Sequence, residues 1–151
     1  PIAFDSARLI QLVAGAALLL SLIQIFMGTQ VRQEVDLIAD TIGVDNRGAW
    51  IAELPLLFYV HRTFSVLVLG VNAYLCYAIY QLAPGAGPMK RSAQAVIAVI
   101  GAEIASGAAL YYLAFPAPLQ PVHLLFAALM FGAQMHIALA ARYGRQNGAP
   151  V

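Results

Sequence analysis

The stretch LIQLVAGAALLLSLIQIFMGTQV, Leu9 to Val31, contains no charged residue. As a helix rising about 1.5 Å per residue, it is long enough to cross the roughly 30 Å hydrocarbon core of a bilayer. Three similar stretches follow it. The second starts near Pro55, a favourable first-turn residue, and runs to about Leu82, interrupted only by His61 and Arg62. A turn rich in Pro and Gly, APGAGPMKRS (Ala83 to Ser92), separates it from the third stretch, Ala93 to about Leu113, whose single charge is Glu103. FPAPLQP (Phe115 to Pro121) breaks that helix, because proline cannot continue one. The fourth stretch, Val122 to Ala141, ends in the polar tail RYGRQNGAPV. The expected fold is all-α: one integral membrane four-helix bundle over residues 1–151, with spans near 9–31, 55–82, 93–113 and 122–141.

Composition agrees. Of 151 residues, 62% are hydrophobic and 10% charged, whereas soluble domains carry roughly a quarter charged residues. A lone compact domain of this size cannot bury so much apolar surface, so membrane lipid must solvate the remainder. A net charge of +1 excludes a nucleic-acid partner, which calls for a clustered basic face. The single cysteine, Cys76, permits no internal disulfide and reads as a small buried hydrophobe. The chain begins at Pro1 with no readable signal peptide, and is expected to be processed or part of a longer polypeptide.

Lys and Arg set the expected orientation. Arg8, Lys90, Arg91, Arg142 and Arg145 lie at the N-terminus, the second loop and the tail. The first loop balances Arg32 and Arg47 against Glu34, Asp36, Asp40 and Asp45. The positive-inside rule then puts both termini in the cytoplasm and the long first loop outside, with the protein in the cell's inner (plasma) membrane. Within that loop Val31, Val35, Ile38 and Ile42 recur at helical spacing before Gly43. They predict a short amphipathic helix lying on the outer membrane surface.

The second and fourth spans both enter from outside, so they run parallel. His61 follows Pro55 closely and His123 follows Pro121, so both imidazoles lie within about 10 Å of their helix starts, at one depth. Polar side chains inside a membrane are expensive and face the bundle or a cofactor. Two histidines at one level on neighbouring helices suit axial ligation of a haem iron; the alternative is that they only make interhelical hydrogen bonds. Ser65 and Asn72 share the face of His61, and Gln134 follows His123 at the same offset of eleven that separates Asn72 from His61, with small Ala127 between. Each helix thus presents a histidine above an amide. His136 lies about 20 Å deeper than His123 on roughly the opposite face, and reads as an inner-interface residue. Arg62 either snorkels to the surface or meets an acid such as a haem propionate. Glu103, within the small-residue segment GAEIASGAA, is either a proton-handling group or a protonated, hydrogen-bonded structural one.

Three runs carry a family resemblance: QIFMGTQVRQEVD (Gln24 to Asp36), ELPLLFYVHRTFSVLVLGVN (Glu53 to Asn72) and FPAPLQPVHLLFAALMFGAQ (Phe115 to Gln134). In this order they resemble one half of the haem A synthase family. That family has two related four-helix halves, each with a histidine pair on its second and fourth helices. One half binds haem O, whose methyl group is oxidised to the formyl group of haem A; the other holds a haem b. The resemblance implies that His61 and His123 are axial ligands; with Arg62, Phe58, Ser65 and Ala127 from the reading of the residues, they make up the expected haem-binding set. The substrate half carries a glutamate three residues before its first histidine, where this chain has Phe58, and Glu53 is too far back to replace it. The cysteine pair found in the first outer loop of some members is absent too. The chain therefore looks like the C-terminal haem b half, transferring electrons to or from a catalytic half, with haem O reached only through that partner. It would not be catalytic alone. Two other functions fit the residues: a haem-binding electron-transfer or assembly subunit of a respiratory or photosynthetic membrane complex, or a haem-free structural membrane subunit.

Overall fold

A computed structural model describes residues 3–147 and is helical almost throughout. The helices are α1 (Phe4–Ile42), a single turn α2 (Arg47–Trp50), α3 (Leu56–Leu82), α4 (Gly87–Tyr112) and α5 (Leu119–Asn147). Four of these, all but α2, are long and apolar enough to cross a membrane. They pack in the ring α1–α3–α4–α5, which leaves α3 and α5 on one diagonal and α1 and α4 on the other. Short connections make chain neighbours antiparallel, so α3 and α5 run parallel, as expected.

The packing is inverted relative to a soluble bundle. Ala14, Ala17, Ala78 and Ala93 are buried, while Leu12, Leu19, Phe26, Val66 and Leu125 point outward. Lipid is as apolar as leucine, so small residues that let backbones approach closely are what hold such helices together. The buried residues form two separate clusters. One fills the half of the bundle nearer the termini, with Ile10, Leu75, Ile79, Met89, Val96 and Ile137. The other caps the opposite end, with Val31, Val35, Trp50, Leu54, Phe58 and Phe115. Between them lies a layer of polar and small side chains.

Besides the start of α1 at Phe4 in place of Leu9, element boundaries differ from expectation in three places. First, residues 31–42 are helical but form no separate surface helix. They continue α1 without a break, giving 39 residues and a length of about 58 Å. No proline or glycine interrupts them, and Arg32 pairs with Asp36 at 2.9 Å on the exposed face. Their apolar stripe turns toward the protein, where Val31 and Val35 cluster with Trp50 and Leu54. The helix ends at Gly43, whose φ of 91° suits glycine. Second, α4 begins at Gly87 instead of Ala93, because Pro88 serves as a first-turn residue. Third, α5 begins at Leu119 and reaches Asn147. Pro121 lies in its first turn, where a missing N–H breaks no helical hydrogen bond. Of the expected polar tail, residues 148–151 lie outside the described residues.

The turn between α4 and α5 starts His123 at its height. Ala114 and Phe115 adopt left-handed φ values of 53° and 55°, a conformation costing non-glycine residues about 1–2 kcal/mol each. Four hydrogen bonds hold it, one of them from Ala114 N–H to Tyr111 O at 3.3 Å. Phe115 N–H donates to Leu110 O at 2.7 Å, and Phe115 O accepts from Arg47 Nη1 at 3.0 Å and Gln120 Nε2 at 3.1 Å. The Phe115 ring is buried in the cluster at the end of the bundle away from the termini.

Candidate functional site

His61, in the second turn of α3, and His123, in the second turn of α5, occupy the polar layer between the two clusters. Both are half-buried. They sit on diagonal helices and not on neighbouring ones, because α1 and α4 each pack between α3 and α5. A pair across a diagonal sits on opposite sides of the bundle.

Their relative height is fixed deeper in the bundle. Gln134 Nε2 donates to Asn72 Oδ1 at 2.8 Å and to Ser21 Oγ at 2.9 Å, and all three side chains are fully buried. Asn72 lies eleven residues beyond His61, and Gln134 eleven beyond His123. Because α3 and α5 are parallel, contact between the two amides puts the two histidines at one level. The amides below the histidines thus meet each other and form a polar floor, closed by Ser21 from α1. The floor lies about 16 Å below the imidazoles.

Each imidazole rests against a glycine of an adjacent helix. A Cβ added at Gly28 of α1 would lie 3.2 Å from His61 Cε1, and one at Gly107 of α4 would lie 3.4 Å from His123 Cε1. The surroundings of the other ring atoms differ. His123 Nδ1 is 2.9 Å from Glu103 Oε2 and 2.8 Å from Ser106 Oγ, both on α4. His61 Nδ1 is buried with no partner among the described residues, while Gln24 Nε2 donates to its backbone carbonyl at 3.0 Å.

The other expected site residues are distributed around this pair. Phe58, one turn before His61, stacks on Tyr111 with centroids 5.6 Å apart and meets Phe115 edge-on at 6.1 Å, so it belongs to the cap at the end away from the termini. Arg62 is exposed and lies over the Tyr111 ring at 5.4 Å. Ser65 is exposed and bonds to Arg62 O within its own helix at 2.6 Å. Ala127 is half-buried one turn below His123. His136 pairs with Ser92 Oγ at 2.7 Å, away from the site. Sequence reasoning did not connect Glu103 to His123, and it missed Ser106, Gly28 and Gly107. The spacing of Glu103, Ser106 and Gly107 on one segment was the available signal; which helix they face is a property of the packing.

The sequence matches the COX15-CtaA family, cytochrome oxidase assembly protein, over residues 3–135. The chain belongs to this family. Its members are the haem A synthases, which places the chain in cytochrome oxidase assembly and haem A synthesis, as a multi-pass membrane protein of a family that binds haem. No curated protein and no solved structure matches it. Among the described residues, no group of three or more His, Cys, Asp or Glu is arranged to hold a bare metal ion. A haem makes no such demand, since the porphyrin supplies the equatorial nitrogens and the protein only the axial ones.

Proposed function

We propose that this chain is the haem b module of a haem A synthase, holding the haem by His61 and His123 and working with a catalytic partner half. The observation that carries the reading is the imidazole pair at one height on diagonal, parallel helices, each ring seated on a glycine. The residues fit the group. Glu103 and Ser106 engage His123 Nδ1, which leaves Nε2 as the free donor atom. Gly28 and Gly107 let the two rings lie directly against α1 and α4. Arg62, exposed one residue beyond His61, is within reach of a propionate. When bound, the haem would supply one-electron chemistry; the protein supplies axial nitrogens and an apolar surround that limits water.

Catalysis is assigned to the partner. Methyl oxidation needs a polar or acidic group near the reacting carbon, and the position one turn before His61 holds Phe58, packed among aromatic rings. Glu103 lies with its Oε2 2.9 Å from His123 Nδ1 and so faces a candidate ligand, not an open reaction site.

Purified protein should show a low-spin b-type spectrum with sharp reduced bands. His61→Ala and His123→Ala should each remove most of it, and His136→Ala should leave it intact. A spectrum that survives both ligand substitutions refutes the assignment. A colourless, well-folded protein supports the haem-free structural reading instead.

A further inference from the structure

The two imidazoles differ in what holds their second nitrogen. With Nε2 of His123 bound to iron, its Nδ1 must carry the proton and donate it. Two acceptors are in place: Glu103 Oε2 at 2.9 Å and Ser106 Oγ at 2.8 Å. Ser106 can accept because its own hydroxyl donates to Glu103 O at 3.1 Å. Gly107, the next residue, brings α4 close enough for both contacts by offering no side chain to His123. Among the described residues His61 has no equivalent: its Nδ1 is buried with no hydrogen-bond partner there, and its ring lies against Gly28.

We propose that Glu103, aided by Ser106, is a positioning residue that strengthens His123 as an electron donor, so that the two axial imidazoles are electronically unequal and the haem is harder to reduce than a symmetric pair would make it. A carboxylate accepting the Nδ1 proton pushes negative charge onto the ring and raises its basicity as a ligand. That charge stabilises ferric over ferrous iron, in a site where low dielectric leaves it poorly screened. The inference rests on the haem reading above and adds to it a direction: a low potential suits a centre that passes electrons onward.

Two measurements test it. In ferric wild-type protein carrying ¹⁵N-histidine, pulsed EPR should resolve two distinct axial nitrogen couplings; a single shared coupling overturns the inference. In a redox titration, Glu103→Gln should keep the low-spin spectrum and shift the midpoint upward. The ratio of reduced to oxidised haem at fixed potential should rise about tenfold, which is 59 mV for one electron. Ser106→Ala should shift it less, in the same direction, and Glu103→Asp should restore part of the wild-type value. An unmoved midpoint in Glu103→Gln refutes the proposal while leaving bis-histidine ligation standing. Absence of any low-spin spectrum in the wild type fails the haem reading itself, and the inference with it. If Glu103→Gln does not accumulate, the wild-type couplings decide.

Discussion

Gly28 leaves the space that the His61 ring occupies. A methyl group there would sit 3.2 Å from His61 Cε1, and only a shift of a few tenths of an ångström would relieve it. Gly28→Leu should therefore turn the ring out of place and lower the haem-to-protein ratio severalfold, whereas Gly107→Ala, with 3.4 Å to His123 Cε1, should lower it less. Haem content measured against protein mass checks both. Phe58 carries a different lesson. Its ring is buried and stacked on Tyr111, so Phe58→Glu would bury a carboxyl with no partner. The expected loss of stability is about 1–3 kcal/mol, read as a lower unfolding midpoint in detergent. On the proposed assignment, Phe58→Glu alone is therefore not expected to let the chain form haem A.

At the scale of elements, α1 matters as a continuous rod. Its C-terminal end, with Val31 and Val35, forms one wall of the cap that Trp50, Leu54, Phe58 and Phe115 complete. Trp50 is tied in twice: its Nε1 donates to Gly43 O at 3.3 Å, and Arg47 lies over its ring at 5.0 Å. Trp50→Ala should cost about 3–5 kcal/mol by the usual penalty for emptying a buried aromatic site. Because α1 also carries Gly28, the proposed haem site should lose its haem to an apolar scavenger faster when the C-terminal end of α1 is loosened. Unchanged loss kinetics would mean that the cap and the histidine layer are independent. Deeper in, the Ser21–Asn72–Gln134 floor joins α1, α3 and α5. Gln134→Leu removes both bonds, and such interhelical polar contacts contribute about 0.6–1.7 kcal/mol in membranes.

For the whole molecule, two outcomes are expected. A cysteine placed at Asp40 should react with an impermeant reagent from outside, and one at Gly87 only after lysis. The native Cys76 is buried and adds little background. The reverse pattern would put the histidine layer near the cytoplasmic face. Given haem O and a reductant, this chain alone should form no haem A, and co-expression with a half carrying the glutamate should restore turnover. Haem A made by the isolated chain would overturn the assignment to the haem b half.

Charge-free length determined the four spans, and proline and glycine determined where α3 begins and where α1 ends. The histidine pair and the amides eleven residues below were also legible, because helical periodicity and a parallel direction place such residues without any knowledge of contacts. Other features came only from the tertiary structure. Whether residues 31–42 lie on lipid or pack on Trp50 depends on what the following loop presents to them, and an amphipathic stripe is equally satisfied by either. That Glu103 meets His123 depends on α4 lying beside α5, while the glycines that admit the two rings belong to α1 and α4. Periodicity fixes which face of a helix is polar. The ring order of the helices decides what that face touches, and it follows from the summed close packing of many small residues, which no local pattern in the chain encodes.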